Sequence, residues 1–326
     1  MTKIFPYANT VVCIEDSRML RQFQYDILHN SPSLEATLDE LNKINYFQSY
    51  EKADSDNFRT LLDGLMINTF DLIRNTAPTE LVWRMFALYY DIHNMKLVAK
   101  ERLLGKWLDR LSLLYGSYSL PTIRSAAVRE TDDILGNETL TEGFFQALRA
   151  PMMRNIDFIL DKVYYQALKE FAIQSDIPEI VGFVTEKADL FNISAYYQSL
   201  HAGSPTGYFS AAFTDQGSRS FGEWQSFIEG EPDGIENFVV WQNFVTVLDE
   251  TDSRADLIKN LDVHIDNYLI GRTKVCKLMA FGLEPIYAYF FNKFMEIKNI
   301  RILLAGKKFN YKASEIKRRM RIPYEL

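Results

Sequence analysis

Apolar residues recur along this chain at helical intervals. Ile286, Phe290, Phe294, Ile297, Ile300 and Leu304 follow steps of 4, 4, 3, 3 and 4, which stacks them on one face of a helix of about 3.6 residues per turn. Leu81, Met85, Tyr89 and Ile92 repeat the pattern, as do Ile180, Val184, Ala188, Phe191 and Ala195. Strict alternation over a strand length is hard to find. The pattern predicts an all-α protein.

The polar punctuation of these stretches repeats three times. Asp91-Ile-His-Asn94-Met95, Asp189-Leu-Phe-Asn192-Ile193 and Glu296-Ile-Lys-Asn299-Ile300 each set an acid three residues before an asparagine. A proline that can open the helix stands 16, 14 and 14 residues before the asparagine, at Pro78, Pro178 and Pro285, positions where its missing N–H is no loss. A glycine follows 11, 11 and 7 residues after it, at Gly105, Gly203 and Gly306, and glycine past a helix end is a common stop. Ahead of the acid, Ile156-Asp157-x-x-Leu160-Asp161 matches Leu261-Asp262-x-x-Ile265-Asp266, with Leu62-Asp63-x-x-Met66 as a weaker counterpart lacking the second aspartate. The period is about 100 residues in three copies, drawn as repeat domains 1–116 with the N-terminal helices, 117–216, and 217–326 with a basic C-terminal helix. Asparagine is a poor helix-interior residue because its side chain competes for backbone hydrogen bonds. One repeated in mid-helix therefore implies a partner such as a neighbouring helix end or the acid three residues back, and a structural role.

Composition narrows the partners. The chain has 326 residues, room for one large or two to three small domains, and a net charge of −7, which argues against a nucleic-acid binder. From Lys298 to Leu326, nine lysines and arginines face two glutamates, near +7, leaving the remainder near −14. Such polarity can orient a protein between unlike partners, and Lys317, Arg318, Arg319 and Arg321 are candidate interface residues. Ser314 reads as the N-cap of that last basic helix. Cys13 and Cys276 form no Cys-x-x-Cys, which suits a reducing compartment and points to the cytoplasm. No signal peptide is read in residues 1–20, and the uncharged window from Leu190 to Thr214 carries too many polar residues to span a bilayer.

The usual chemistry is missing from the sequence. It has neither the phosphate-binding Gly-x-x-x-x-Gly-Lys-[Ser/Thr] loop nor a Gly-x-Gly-x-x-Gly, so no cofactor and no direct small-molecule substrate is expected. His29, His93, His201 and His264 are dispersed, unlike a zinc ligand set. The acidic runs 229–236 and 249–256 lack EF-hand spacing and read as solvated turns. One enzymatic rival remains: a helical terpenoid-type synthase holding magnesium through Asp157 and Asp161, four apart on one helix face. Against it, Asp132-Asp133 lacks a third acid, and the Asp157/Asp161 pair recurs as Asp262/Asp266. A generic helical-repeat adaptor is a second alternative, but its periods run to about 34–47 residues.

The three signatures, with the ending Glu296-Ile-Lys-Asn-Ile-Arg-Ile-Leu-Leu-Ala-Gly306 and Ser314-Glu-Ile-Lys-Arg-Arg-Met-Arg-Ile-Pro-Tyr324, resemble the C subunits of the prokaryotic V-type and A-type ATPases, counterparts of the eukaryotic d subunit. Tyr89-Tyr-Asp-Ile-His-Asn-Met-Lys96 and Ser33-Leu-Glu-Ala-Thr-Leu are similar to that family as well. The resemblance implies a funnel of three helical domains with pseudo-threefold symmetry. Its mouth would take the D–F shaft and its base would sit on the membrane proteolipid ring, passing torque from the A and B head to proton or sodium transport. It also implies a cytoplasmic protein held at the membrane through the complex, with no catalytic residues. Glu296 in place of aspartate and the short third asparagine-to-glycine spacing depart from the repeat.

Overall fold

In the computed structural model, residues 5–49, 51–77, 79–130, 135–200, 202–229, 239–245, 259–279 and 282–324 are described. It is 75% helical, and the described residues include no strand. The helices are α1 (Pro6–Ser17), α2 (Gln22–Asn30), α3 (Leu34–Lys43), α4 (Phe58–Thr76), α5 (Glu80–Leu104), α6 (Leu120–Arg129), α7 (Glu138–Leu148) and α8 (Met153–Ser175). They continue as α9 (Pro178–Ser199), α10 (Pro205–Ala212), α11 (Phe221–Glu229), α12 (Val239–Val245), α13 (Leu261–Lys277), α14 (Glu284–Lys308) and α15 (Ala313–Arg319).

Local signals set many of the ends. Ser33, Ser119 and Asn137 accept from backbone N–H groups three residues on and so cap α3, α6 and α7. Pro178 and Pro285 stand in the first turns of α9 and α14 as expected, whereas Pro78 lies outside the described residues. Gly105 closes α5 with φ +66°, a left-handed conformation that glycine adopts without a Cβ clash. Gly306 does something else. It lies inside α14, where a Cβ would come within 2.6 Å of Ile316 Cγ1, so it lets α15 approach, and the turn beyond α14 is made by Asn310 at φ 54°. Ser314 is likewise one residue inside α15, whose N-cap position is Lys312 with no side-chain cap.

Two compact units divide the chain, one formed by Met1–Val82 with Asp249–Leu326 and the other by Trp83–Leu248. In the first, α14 is the central rod, packed by α1, α3, α4, α13 and α15. Seventeen of its 25 residues are buried, so the stripe from Ile286 to Leu304 is only part of a helix enclosed on nearly all sides. Phe70 of α4 meets Phe290 edge to face at 4.8 Å; burying a side chain of this size contributes about 1.5–3 kcal/mol. In the second unit α9 holds the corresponding place against α8, α10 and α12. Met85 and Ile92 of α5 are buried there, but Tyr89 on the same predicted face is 52% exposed. No described helix is long and apolar enough to cross a membrane.

Candidate functional site

All six signature residues are buried: Asp91, Asn94, Asp189, Asn192, Glu296 and Asn299. A buried side-chain amide has N–H donors and an acceptor oxygen to satisfy, and each asparagine places one donor and the oxygen in the same way. Asn94 Nδ2 donates to the Leu113 carbonyl at 2.7 Å, and Asn94 Oδ1 accepts from the Leu113 N–H at 3.0 Å. Asn192 grips Thr214 at 2.8 and 3.0 Å, and Asn299 grips Arg321 at 2.9 and 2.7 Å. The gripped residue lies 19, 22 and 22 positions further on. Each asparagine thus pairs with the N–H and carbonyl of one residue in the segment that leaves its helix, as a neighbouring backbone would.

The acid holds a second point. Asp91 Oδ1 accepts from the Tyr118 N–H at 3.1 Å, and Asp189 Oδ1 from the Ser218 N–H at 2.8 Å. The chain passes so close that a Cβ at Gly116 or Gly217 would overlap Oδ1 of Asp91 or Asp189. These glycines, each followed by serine, belong to the same repeated device, and the Gly116-Ser117 and Gly217-Ser218 pairs are a readable signal for it. The third copy differs. Glu296 Oε2 accepts from the Leu20 N–H at 2.6 Å, while Oε1 accepts from Lys293 Nζ at 2.5 Å. Lys293 is itself buried, with its ammonium 5.3 Å from the centre of the Tyr46 ring.

Burial disfavours the charged carboxylate. It pushes Asp91 up to about 7, against the N–H groups of Ser117 and Tyr118 and the charge of Arg84, which pull the other way. Burial raises Asp189 too, opposed mainly by its bonds to Ser218. Near Glu296, Tyr25 is held well above its ordinary value by burial first and the Glu296 charge second.

Asp157 and Asp161, the pair considered for magnesium, and their recurrence Asp262 and Asp266 are each paired with cations of the chain. Lys96 Nζ lies 2.7 Å from Asp161, and Lys100 Nζ lies 2.7 Å from Asp157. Arg321 binds Asp262 at 2.9 Å and Asp266 at 2.8 Å, with Lys298 also on Asp266 at 2.8 Å. One oxygen of each of these four aspartates is ion-paired within the chain, and no group of three or more His, Cys, Asp or Glu among the described residues could hold a metal. Asp132, Asp133, His201 and nearly all of both acidic runs lie outside the described residues. His29 and His93 each donate a ring N–H to a backbone carbonyl, of Ala313 and Leu111.

Arg321 is placed differently from a surface cation. It is 5% exposed and fully engaged with Asp262, Asp266 and the Arg319 carbonyl, whereas Lys317, Arg318 and Arg319 are exposed. Lys298, Arg301, Lys307 and Lys308 also spend their ammonium or guanidinium groups inside the chain. Of the tail's cations, Arg321 is the one buried, while Lys298 and Arg301 keep intrachain partners at the surface.

What repeats among the described residues is a scaffold: long helices whose buried polar residues grip their own connecting segments. The model of the family described as ATP synthase (C/AC39) subunit matches residues 8–319, and the chain belongs to that family. It is 26% identical over 300 residues to the C subunit of the V-type sodium ATPase of Enterococcus hirae, covering 89% of this chain and 90% of that protein. It is 21% identical over 345 residues to the C subunit of the A-type ATP synthase of Methanocaldococcus jannaschii, covering 96% and 85%, and 21% over 304 residues to that of Methanococcoides burtonii, covering 84% and 83%. Proteins of this family are structural rather than catalytic parts of a rotary, ion-transporting, membrane-associated ATPase complex.

Proposed function

We propose that this chain is the central-rotor component that joins the D–F shaft to the membrane proteolipid ring and transmits torque between ATP hydrolysis in the A and B head and the transport of protons or sodium. The observation that carries this reading is the family match over residues 8–319, supported by relatives aligned along almost their whole length. The name of the Enterococcus relative specifies sodium. In this reading the repeats 1–116, 117–216 and 217–326 form a funnel with pseudo-threefold symmetry, peripheral to the membrane on the cytoplasmic side. Lys317, Arg318 and Arg319 are the exposed cations that steer one partner into place. A torque-transmitting part must hold its shape while two partners pull on it, and three buried asparagine grips supply that stiffness.

Binding of the purified D–F heterodimer tests the assignment. The isolated chain should retain D–F on a column, bind no ATP and hydrolyse none. Reversing Lys317, Arg318 and Arg319 to glutamate should slow association with whichever partner they face, most strongly at low salt. A chain that captures neither D–F nor the ring removes the coupling role while leaving the family membership in place.

A further inference from the structure

Within the first unit, α13, α14 and α15 line a cleft of about 750 Å³. Val263, Ile302, Ala305 and Ile316 supply its apolar lining, and Gly306 shapes it by letting α15 lie against α14. The cations around it fall into two sets. Arg321 and Lys298 are matched by Asp262 and Asp266, so they add little to the net field. Lys259, Arg318 and Arg319 are exposed in its walls, and none of the three holds a carboxylate among the described residues. Glu315 is the only other carboxylate in the lining. Three unmatched cations against one carboxylate leave a local surplus of positive charge, in a chain whose net charge is −7.

Phe309 and Tyr311 stand in the turn between α14 and α15, 59% and 56% exposed, with their rings 6.5 Å apart, and Tyr311 lines the cleft. Exposed aromatics beside arginines are the composition of protein interfaces, where such residues carry much of the binding energy. A lipid surface is planar and would meet the rim without filling the recess. A free phosphate would pair with the cations and leave the apolar lining wet. We propose that the cleft is the docking site for an acidic segment of a partner protein, which sets carboxylates against Lys259, Arg318 and Arg319 and an apolar side chain against Ile302. The inference deepens the coupling role proposed above and rests on it, since the segment belongs to another subunit of the same complex. Lys312 and Lys317 are exposed beside the cleft but do not line it, which gives the proposal an internal control.

Photo-cross-linking in the assembled complex tests it. The wild-type chain should be recovered with the complex; its absence there removes the coupling role and the docking site together. With benzoylphenylalanine at Lys259, the cross-link should fall on one partner subunit, in a segment where aspartates or glutamates flank an apolar residue. A cross-link to lipid, to a segment without carboxylates, or to nothing in a complex that contains the chain overturns the docking site and leaves the coupling role in place. Charge reversal is the second readout. Arg318→Glu with Arg319→Glu should weaken binding to the cross-linked subunit by about tenfold or more, and lysines in place of that subunit's carboxylates should recover most of it. Lys312→Glu with Lys317→Glu makes the same change of charge outside the cleft and should weaken binding by less than about threefold. Equal losses in the two double variants, or no recovery with the reversed partner, overturn the proposal.

Discussion

Replacing Asn192 by leucine removes one side chain and leaves two backbone groups unanswered. Asn192 is fully buried, and its amide is matched to both the N–H and the carbonyl of Thr214. Leucine has similar volume, so packing changes little and the loss is polar. A buried donor or acceptor left unpaired costs about 1–3 kcal/mol, hence about 2–6 for the two. Against this, leucine buries apolar surface worth about 1–3 kcal/mol. The expected net loss is about 1–3 kcal/mol, read as a lower denaturant midpoint by circular dichroism with an unchanged slope. Exchange at the Thr214 amide should rise with it, because that N–H loses its acceptor. A midpoint shift below about 0.5 kcal/mol, with Thr214 still protected, would refute the reasoning by showing that water or another group replaces the amide.

Other substitutions probe the same device. Gly217→Ala sets a Cβ on Asp189 Oδ1 and should cost about 1–3 kcal/mol in thermal or denaturant unfolding, while alanine at Gly182, where nothing lies within 4 Å, should not destabilise. Lys293→Met strands the buried Glu296 carboxylate and should cost about 3–5 kcal/mol, with Glu296→Gln in the same chain recovering most of it. Asp91 has a folded-state value of about 7 against an ordinary 3.8, so the folded chain holds a proton that the unfolded chain releases. Its contribution is complete below about pH 4 and is lost as pH rises towards 7. Asp91→Asn should therefore flatten the fall in stability between those limits and gain on wild type at pH 8, measured as urea midpoints at both ends; parallel profiles for the two proteins would sink the assignment.

How much is legible in the sequence follows from the distance over which each signal acts. Helical periodicity is local, and Pro178 and Pro285 mark helix starts by chemistry confined to a single turn. Asn94, Asn192 and Asn299 are recognisable as needing partners, because mid-helix asparagine is unfavourable without one. The partners themselves, Leu113, Thr214 and Arg321, are gripped through their backbone and carry no side-chain signature. Gly306 reads as a stop because a glycine that ends a helix and one that admits a neighbouring helix are the same letter. Arg321 reads as a surface cation because its acids, Asp262 and Asp266, lie 59 and 55 positions away. Leu20 gives no sign at all: an apolar residue offers only its N–H, to an acid at the far end of the chain.

The coupling role is tested most directly in membranes from cells lacking this chain, with ATP hydrolysis and ion uptake measured on the same preparation. Hydrolysis by the head should persist while ATP-driven ion transport stops, and restoring the chain should restore transport. Ion transport at normal efficiency without it would contradict the account.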